Sequence, residues 1–237
     1  MEKETRKAKR ERPKPENPFF WELKMGGSVM PWYLDNFQSS SFLPDYYKQL
    51  KTGIHINASA NYMLNYFLGL GVSYSFFKSG TSGSIPGEYY PSMFLIESEK
   101  YQLFTNYLGA SVIFQQHLDV QRKLIIREAL SAGATFVRME YQNTYPGITQ
   151  TGYTDISNNM LLTGNSFSGK LGFAVEYKLL ANVSVGLGGD FIWCKLKKAS
   201  LESKGTNTNY YSINDQELSN PMTLSRIDYS FVLRYNF

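Results

Sequence analysis

The chain holds one cysteine, Cys194, and two histidines in 237 residues. A single thiol excludes any intrachain disulfide. Cys194 has no general base near it in sequence and reads as a small filler rather than a catalytic thiol. His55 and His117 stand far apart, and no CxxC or HExxH pattern is present. The common zinc sites are thereby excluded, and no metal or cofactor is expected. Also missing is any apolar run near the roughly 18 residues that a membrane-crossing helix needs. That removes a helical membrane protein but not a membrane protein. A spanning strand needs only about 9 to 11 residues, and only every second one must be apolar.

Aromatic residues are abundant: 16% of the chain, with 18 Tyr and 16 Phe. They alternate with polar residues at period two, the signature of half-buried strands. From Ile227 to Phe237 every odd position is apolar or aromatic, while Arg226, Asp228, Ser230, Arg234 and Asn236 occupy even ones. Val183, Val185, Leu187, Phe191 and Trp193 oppose Ser184, Gly186, Gly188 and Asp190. Phe167, Leu171, Phe173, Val175 and Tyr177 oppose Ser168, Lys170 and Glu176, with Lys178 on the same polar face. Segments 54–66, 68–76 and 19–33 alternate in the same way. Two further strands are expected near 100–117 and 124–141. Their alternation is poor, since Glu128 shares a parity with Leu130 and Arg127 with Ala129, and a bulge or register change would account for it.

Eight strands result, joined by links that alternate short (near 65–67, 119–123 and 180–182) and long (near 34–51, 79–99, 142–165 and 198–222). The long links are rich in Ser, Gly, Asn, Thr and Pro, as loops are. A three-residue hairpin places residues i and i+4 on one face, and the pairs Leu64/Leu68 and Leu179/Val183 fit that rule. The expected fold is all-β: an eight-stranded antiparallel up-and-down transmembrane β-barrel with short periplasmic turns and long extracellular loops. It covers 19–237, preceded by a basic segment, 1–18, expected to be disordered. Residues 1–17 carry seven Lys/Arg against four Glu, without interleaved aromatics, so no nucleic-acid partner is expected. Met1 is followed by charge and not by the apolar core of a secretory signal. An outer-membrane protein must be exported, so the reading expects a signal already removed or a misassigned start.

A soluble barrel of the lipocalin kind would point the apolar face inward. Three features favour the inverted arrangement. The polar face is rich in Gly and Ser, which suits a narrow interior. Its charges are of both signs: Glu22, Lys24, Lys170, Glu176, Lys178, Asp190, Arg226, Asp228 and Arg234. They form a candidate lumen network of structural character, with Glu22 and Arg234 expected to face each other across the seam of the barrel. Aromatics, finally, gather toward strand ends on the apolar face, where lipid headgroups lie.

The segment TLSRIDYSFVLRYNF (223–237), with an outward Tyr235 and a terminal Phe237, resembles the C-terminal signal by which outer-membrane barrels are recognised for insertion. The segment GKLGFAVEYKLLANVSVGLGGDF (169–191) is similar to a hairpin of the small outer-membrane protein A/X-type barrels, particularly the porin-like β-barrel family of Bacteroidota. The resemblance implies a location in the bacterial outer membrane. Its partners would be lipid and lipopolysaccharide, and the barrel-assembly machinery during insertion.

Chemistry beyond that is sparse. His55 sits at a height suited to outer-leaflet substrates, but its parity turns it into the lumen beside Asn57 and Ser59. Gly69-Leu-Gly71 and Gly186-Leu-Gly188-Gly189 lack the third spaced glycine and the following helix of a nucleotide loop. Eight strands leave an interior filled by side chains, so no open channel is expected. Tyr46, Tyr47, Tyr89, Tyr90, Tyr210 and Tyr211 lie in the long loops as candidate contacts for an unidentified envelope protein or glycan. The leading reading is a non-enzymatic outer-membrane barrel with an envelope-structural or surface-contact role. A lipid-modifying barrel enzyme, a subunit of an envelope secretion or transport complex, and a soluble lipocalin-like binder are the alternatives.

Overall fold

The computed structural model describes residues 18–31, 50–83, 98–149, 152–205 and 211–237. Nine strands run through them in sequence: β1 (Phe19–Val29), β2 (Thr52–Met63), β3 (Leu68–Gly83), β4 (Ser98–His117), β5 (Leu124–Thr149), β6 (Gly152–Lys178), β7 (Val183–Gly205), β8 (Tyr211–Thr223) and β9 (Arg226–Asn236). Each pairs antiparallel with its neighbour, β6 joins β7, and β9 closes the sheet by pairing with β1 on one side and β7 on the other. The result is an eight-stranded ring. Closure satisfies the backbone donors and acceptors of every strand in the ring, which the interior of a bilayer demands.

The ninth strand continues the eighth position of the ring. Ile192 pairs with Arg226 and Leu196 with Met222 in one unbroken register along β7. Between them, at Leu224–Ser225, the Leu224 amide donates to the Cys194 carbonyl (2.9 Å), and the Ser225 hydroxyl accepts from the Cys194 amide (3.1 Å). β8 is thus the outward prolongation of β9.

Three short turns close one end. Leu64 and Leu179 donate their amides to Leu68 and Val183 across the two three-residue hairpins (both 2.9 Å). The third turn, 118–123, is fastened by the Asp119 carboxylate, which accepts from the Leu124 amide at 2.8 Å. That bond holds the Asp119 carboxyl below the usual carboxylate range.

Strand lengths divide the barrel. β1 and β9 have 11 residues each, about the length needed to cross a bilayer. β5, β6 and β7 have 26, 27 and 23. They project well past the membrane, and their polarity inverts where they leave it. On β7, Leu187, Phe191 and Trp193 face outward and are exposed, while Asp190 faces in. Beyond Cys194 the outward positions become Lys195, Lys197 and Lys198, and Leu196 and Ala199 are buried. Likewise on β5, Leu130 and Phe136 are outward below, and Arg138 and Glu140 above, where Val137 and Met139 pack inside. The barrel therefore has a lower storey, apolar outside and charged inside, and an upper storey built the other way round. The physical reason is the change of solvent: the outer face meets hydrocarbon below and water above.

This inversion corrects two expectations. No bulge or register change lies in 100–117 or 124–141. β4 and β5 pair in a constant register from Ser98↔Thr144 to His117↔Ile125. Odd positions point inward throughout, and only the chemistry of inward and outward changes. The segments 142–165 and 198–222 are for the most part strand, not loop. Their polar composition is that of a barrel wall standing in water. The irregularities lie elsewhere, between Thr163 and Ser168 on β6 and, on β7, between Leu196 and Lys198 and between Ala199 and Leu201, close to the level of inversion.

Candidate functional site: a charged lumen under an apolar plug

The lower lumen gathers Glu22, Lys24, Lys170, Glu176, Asp190, Arg226, Asp228 and Arg234, together with Arg127. Five cations face four carboxylates there, so charge is close to balanced. The groups sort into three tiers.

In the tier nearest the short turns, Arg127 of β5 binds both Glu22 and Glu176, the latter at 2.5 Å. Arg234 lies 3.7 Å from Glu176, donates to Gln115 (2.6 Å) and Asn236 (2.8 Å), and stacks 3.8 Å from the ring centre of Phe20. Glu22 and Arg234 are direct partners across the β1–β9 seam. Their charges, however, are joined through Arg127 and Glu176 on the far wall. In the middle tier Asp190 accepts from Lys24 (2.9 Å) and Asn57 (2.8 Å), with Lys170 at 3.8 Å. A side chain at Gly172 would collide with the Asp190 carboxylate, so the glycine gives this tier its room. In the upper tier Arg226 clasps Asp228 through Nε (3.1 Å), reaches Thr105 and Ser75, and covers the Phe77 ring.

His55 belongs to that upper tier. Ser28 donates to Asp228 at 2.6 Å, its oxygen lies 2.9 Å from His55 Nδ1, and Ser230 lies 2.9 Å from Nε2. With the Ser28 proton committed to Asp228, a neutral imidazole carrying its proton on Nδ1 satisfies the whole chain. Serine, histidine and aspartate together are the elements of nucleophilic catalysis. Here all four side chains are buried, closed in by Arg226 and an apolar cluster above and by the ionic tiers below. None of the four is more than 6% exposed.

The apolar plug stands inside the upper storey. Met30, Leu50, Phe77, Tyr101, Leu103, Val137, Cys194, Leu196, Met222 and Leu224 form one buried cluster. Between the tiers, the lower lumen retains a cavity of about 20 Å³, room for one water molecule. No group of three or more His, Cys, Asp or Glu close enough to hold a metal occurs among the described residues.

Arg127 is the charge that sequence reasoning missed. Poor alternation hid its parity, yet the 118–123 turn carried a signal. Across it Arg127 pairs with Gln115, so the two share a face. Lys178, counted with the lumen, stands half-buried at the mouth. Tyr235 and Phe237 are exposed on the outer face and pack edge to face at 5.1 Å, with Phe19 beside them. Tyr46, Tyr47, Tyr89, Tyr90 and Tyr210 lie outside the described residues, as does the side chain of Tyr211, whose backbone begins β8.

The outward belt of the lower storey decides the environment. Trp21, Ile54, Val72, Leu108, Leu171, Leu187 and Phe231 are all exposed around a closed ring. A soluble lipocalin-like barrel would bury them. No family model matches the chain, and no curated protein does. Solved structures do. A major outer membrane protein from Thermus thermophilus is 13% identical over 94% of this chain and 100% of its own, with a TM-score of 0.50. Neisserial surface protein A is 16% identical over 92% and 97%, with a TM-score of 0.45. Ail, the attachment invasion locus protein of Yersinia pestis, is 11% identical over 94% and 100%, with a TM-score of 0.44. The fold is that of a small bacterial outer-membrane β-barrel.

Proposed function

We propose that this chain is a non-enzymatic, non-conducting barrel of the bacterial outer membrane, serving envelope structure or surface contact, and that it belongs with the porin-like barrels of Bacteroidota that its sequence resembles. The observation that carries the reading is the doubly closed lumen, ionic tiers below and an apolar plug above. Such an interior neither passes solutes nor admits a substrate to Ser230 and His55. The upper storey, a wall of strand pairs standing beyond the membrane, is then the part that meets other molecules. Lys78, Arg138 and Lys195 face outward just above the upper aromatic residues; cations there suit the phosphate groups of lipopolysaccharide, which is therefore the proposed lipid partner. The loop tyrosines are proposed contacts for an envelope protein or glycan, and Tyr235 with Phe237 the signal read by the assembly machinery. Planar-bilayer recordings with the refolded protein test the closed lumen: no steady conductance is expected, and stable unitary openings would refute it. Lipid A mass spectra of cells with and without the protein test the absence of catalysis, with identical spectra expected.

A further inference from the structure

The periplasmic mouth of the barrel holds a cavity of about 320 Å³, ringed by all three short turns and floored by the lowest ionic tier. Three cations line it, Arg122, Lys178 and Arg234, with His117 between them and no Asp or Glu among the lining side chains. Two carboxylates stand close by and both are engaged: Glu176 pairs with Arg127 and, at 3.7 Å, with Arg234 of the floor, and Asp119 accepts from the Leu124 amide, which leaves Arg122 and Lys178 as the rim cations.

The donors are fixed before any ligand arrives. Gln115, Asn236 and the Phe20 ring hold the Arg234 guanidinium. Arg122 adopts a left-handed backbone (φ 56°), and its guanidinium lies 4.8 Å from the centre of the Tyr66 ring. At the wall, the Ser184 hydroxyl is fully buried and has no protein partner. A buried hydroxyl without a partner costs free energy that a bound acceptor recovers. Planar guanidinium forks match the oxygens of a phosphate, and positive charge focused in a concave site concentrates anions.

We infer that this mouth is a binding site for a small soluble phosphate or phosphomonoester drawn from the periplasm. The volume exceeds what inorganic phosphate fills and leaves space for a short organic body. The site ends blind at Arg127 and the tiers above it, so it binds its ligand without passing it on. A lipid headgroup offers the same phosphate, but the ring of turns opens the cavity along the barrel axis and not sideways to the bilayer. The inference does not depend on the role proposed for the upper storey.

The test is calorimetric titration of the full-length protein, refolded in uncharged detergent, with inorganic phosphate and with glycerol 3-phosphate. Saturable binding is expected, weakened at least tenfold in Arg122→Gln/Lys178→Gln and a few-fold in Ser184→Ala. Lys197→Gln/Lys198→Gln, at the opposite end, should bind as the parent does. Arg122 and Lys178 stand at the rim, so their replacement leaves the lumen tiers intact, and unchanged heat-modifiable gel mobility verifies it. Failure of both probes to saturate, or equal binding by the double variant, overturns the inference. So does binding seen only with phosphatidylglycerol vesicles, which would assign the site to a lipid headgroup.

Discussion

The two storeys of this barrel are made from the same strands with opposite rules. Below, β7 shows Leu187 and Trp193 to lipid and keeps Asp190 inside; above, it shows Lys195 and Lys197 to water and keeps Leu196 inside. From Leu187 to Lys197 side-chain direction alternates without change, so backbone geometry does not set the difference. What changes is the outer solvent. Hydrocarbon accepts an apolar face and forces polar groups inward, where they must pair with one another. Water reverses the requirement, and hydrophobic burial then fills the interior. A barrel that crosses an interface thus carries two cores stacked end to end, one ionic and one apolar. Arg226 marks their meeting, with Asp228 at its Nε and the Phe77 ring under its guanidinium.

Variants can break this contrast, beginning with the ionic core. Arg127→Met leaves Glu22 and Glu176 buried beside each other without their shared cation. It should cost ~3–5 kcal/mol, seen as a lowered urea midpoint in lipid vesicles. Restoring balance with Glu22→Gln in the same chain should recover part of that loss, which a purely steric role for Arg127 does not predict. In the apolar core the counterpart is Leu196→Ala, expected to cost ~2–5 kcal/mol through a cavity, with no charge change able to rescue it.

The outer faces separate more sharply by sign than by size. Leu187→Arg places a cation in hydrocarbon and should destabilise by ~2–4 kcal/mol. Lys197→Leu, a few positions further along β7, should stay within about 0.5 kcal/mol of the parent when unfolding is followed by tryptophan fluorescence. The smallest effect belongs to the turns. The Leu124 amide depresses the Asp119 pKa, so the unfolded chain binds its proton more readily than the folded one does. The contribution is present at neutral pH and is lost as pH falls through the folded pKa, in the acid range below the ordinary carboxylate value. Asp119→Ala should flatten the acid limb of the stability–pH profile and leave the rest unchanged.

How far the sequence could be read follows from the same contrast. Over most of the lower storey one rule holds, so the faces of 54–66, 183–193 and 227–237 and both three-residue hairpins were legible, and with them the ring of eight. The lumen charges on β1, β6, β7 and β9 followed from parity alone. On β4 and β5 apolar residues stand inside as well as outside: Leu103 and Val137 in the plug, Ile113 and Ile125 near the mouth. Alternation counted along the whole strand averages to nothing there, and Arg127 vanished with it. The walls at 142–165 and 198–222 were read as loops because a strand standing in water is as polar as a loop. Ionic partners were the least legible of all. Register places Glu22 beside Arg234, but long side chains reach across a narrow lumen, and Arg127 takes the place that the seam neighbours would have shared.

The most direct test of the inversion is a depth profile along β7. In a Cys194→Ser background, single cysteines at Leu187, Phe191, Trp193, Lys195, Lys197 and Leu196 would carry a spin label in lipid vesicles. Collision rates with oxygen, which partitions into lipid, and with a water-soluble nickel complex would then be compared. The two-storey account predicts lipid contact at Leu187, Phe191 and Trp193, water contact at Lys195 and Lys197, and contact with neither at Leu196. Lipid contact persisting through Lys197, or free access of the nickel complex to Leu196, would contradict it.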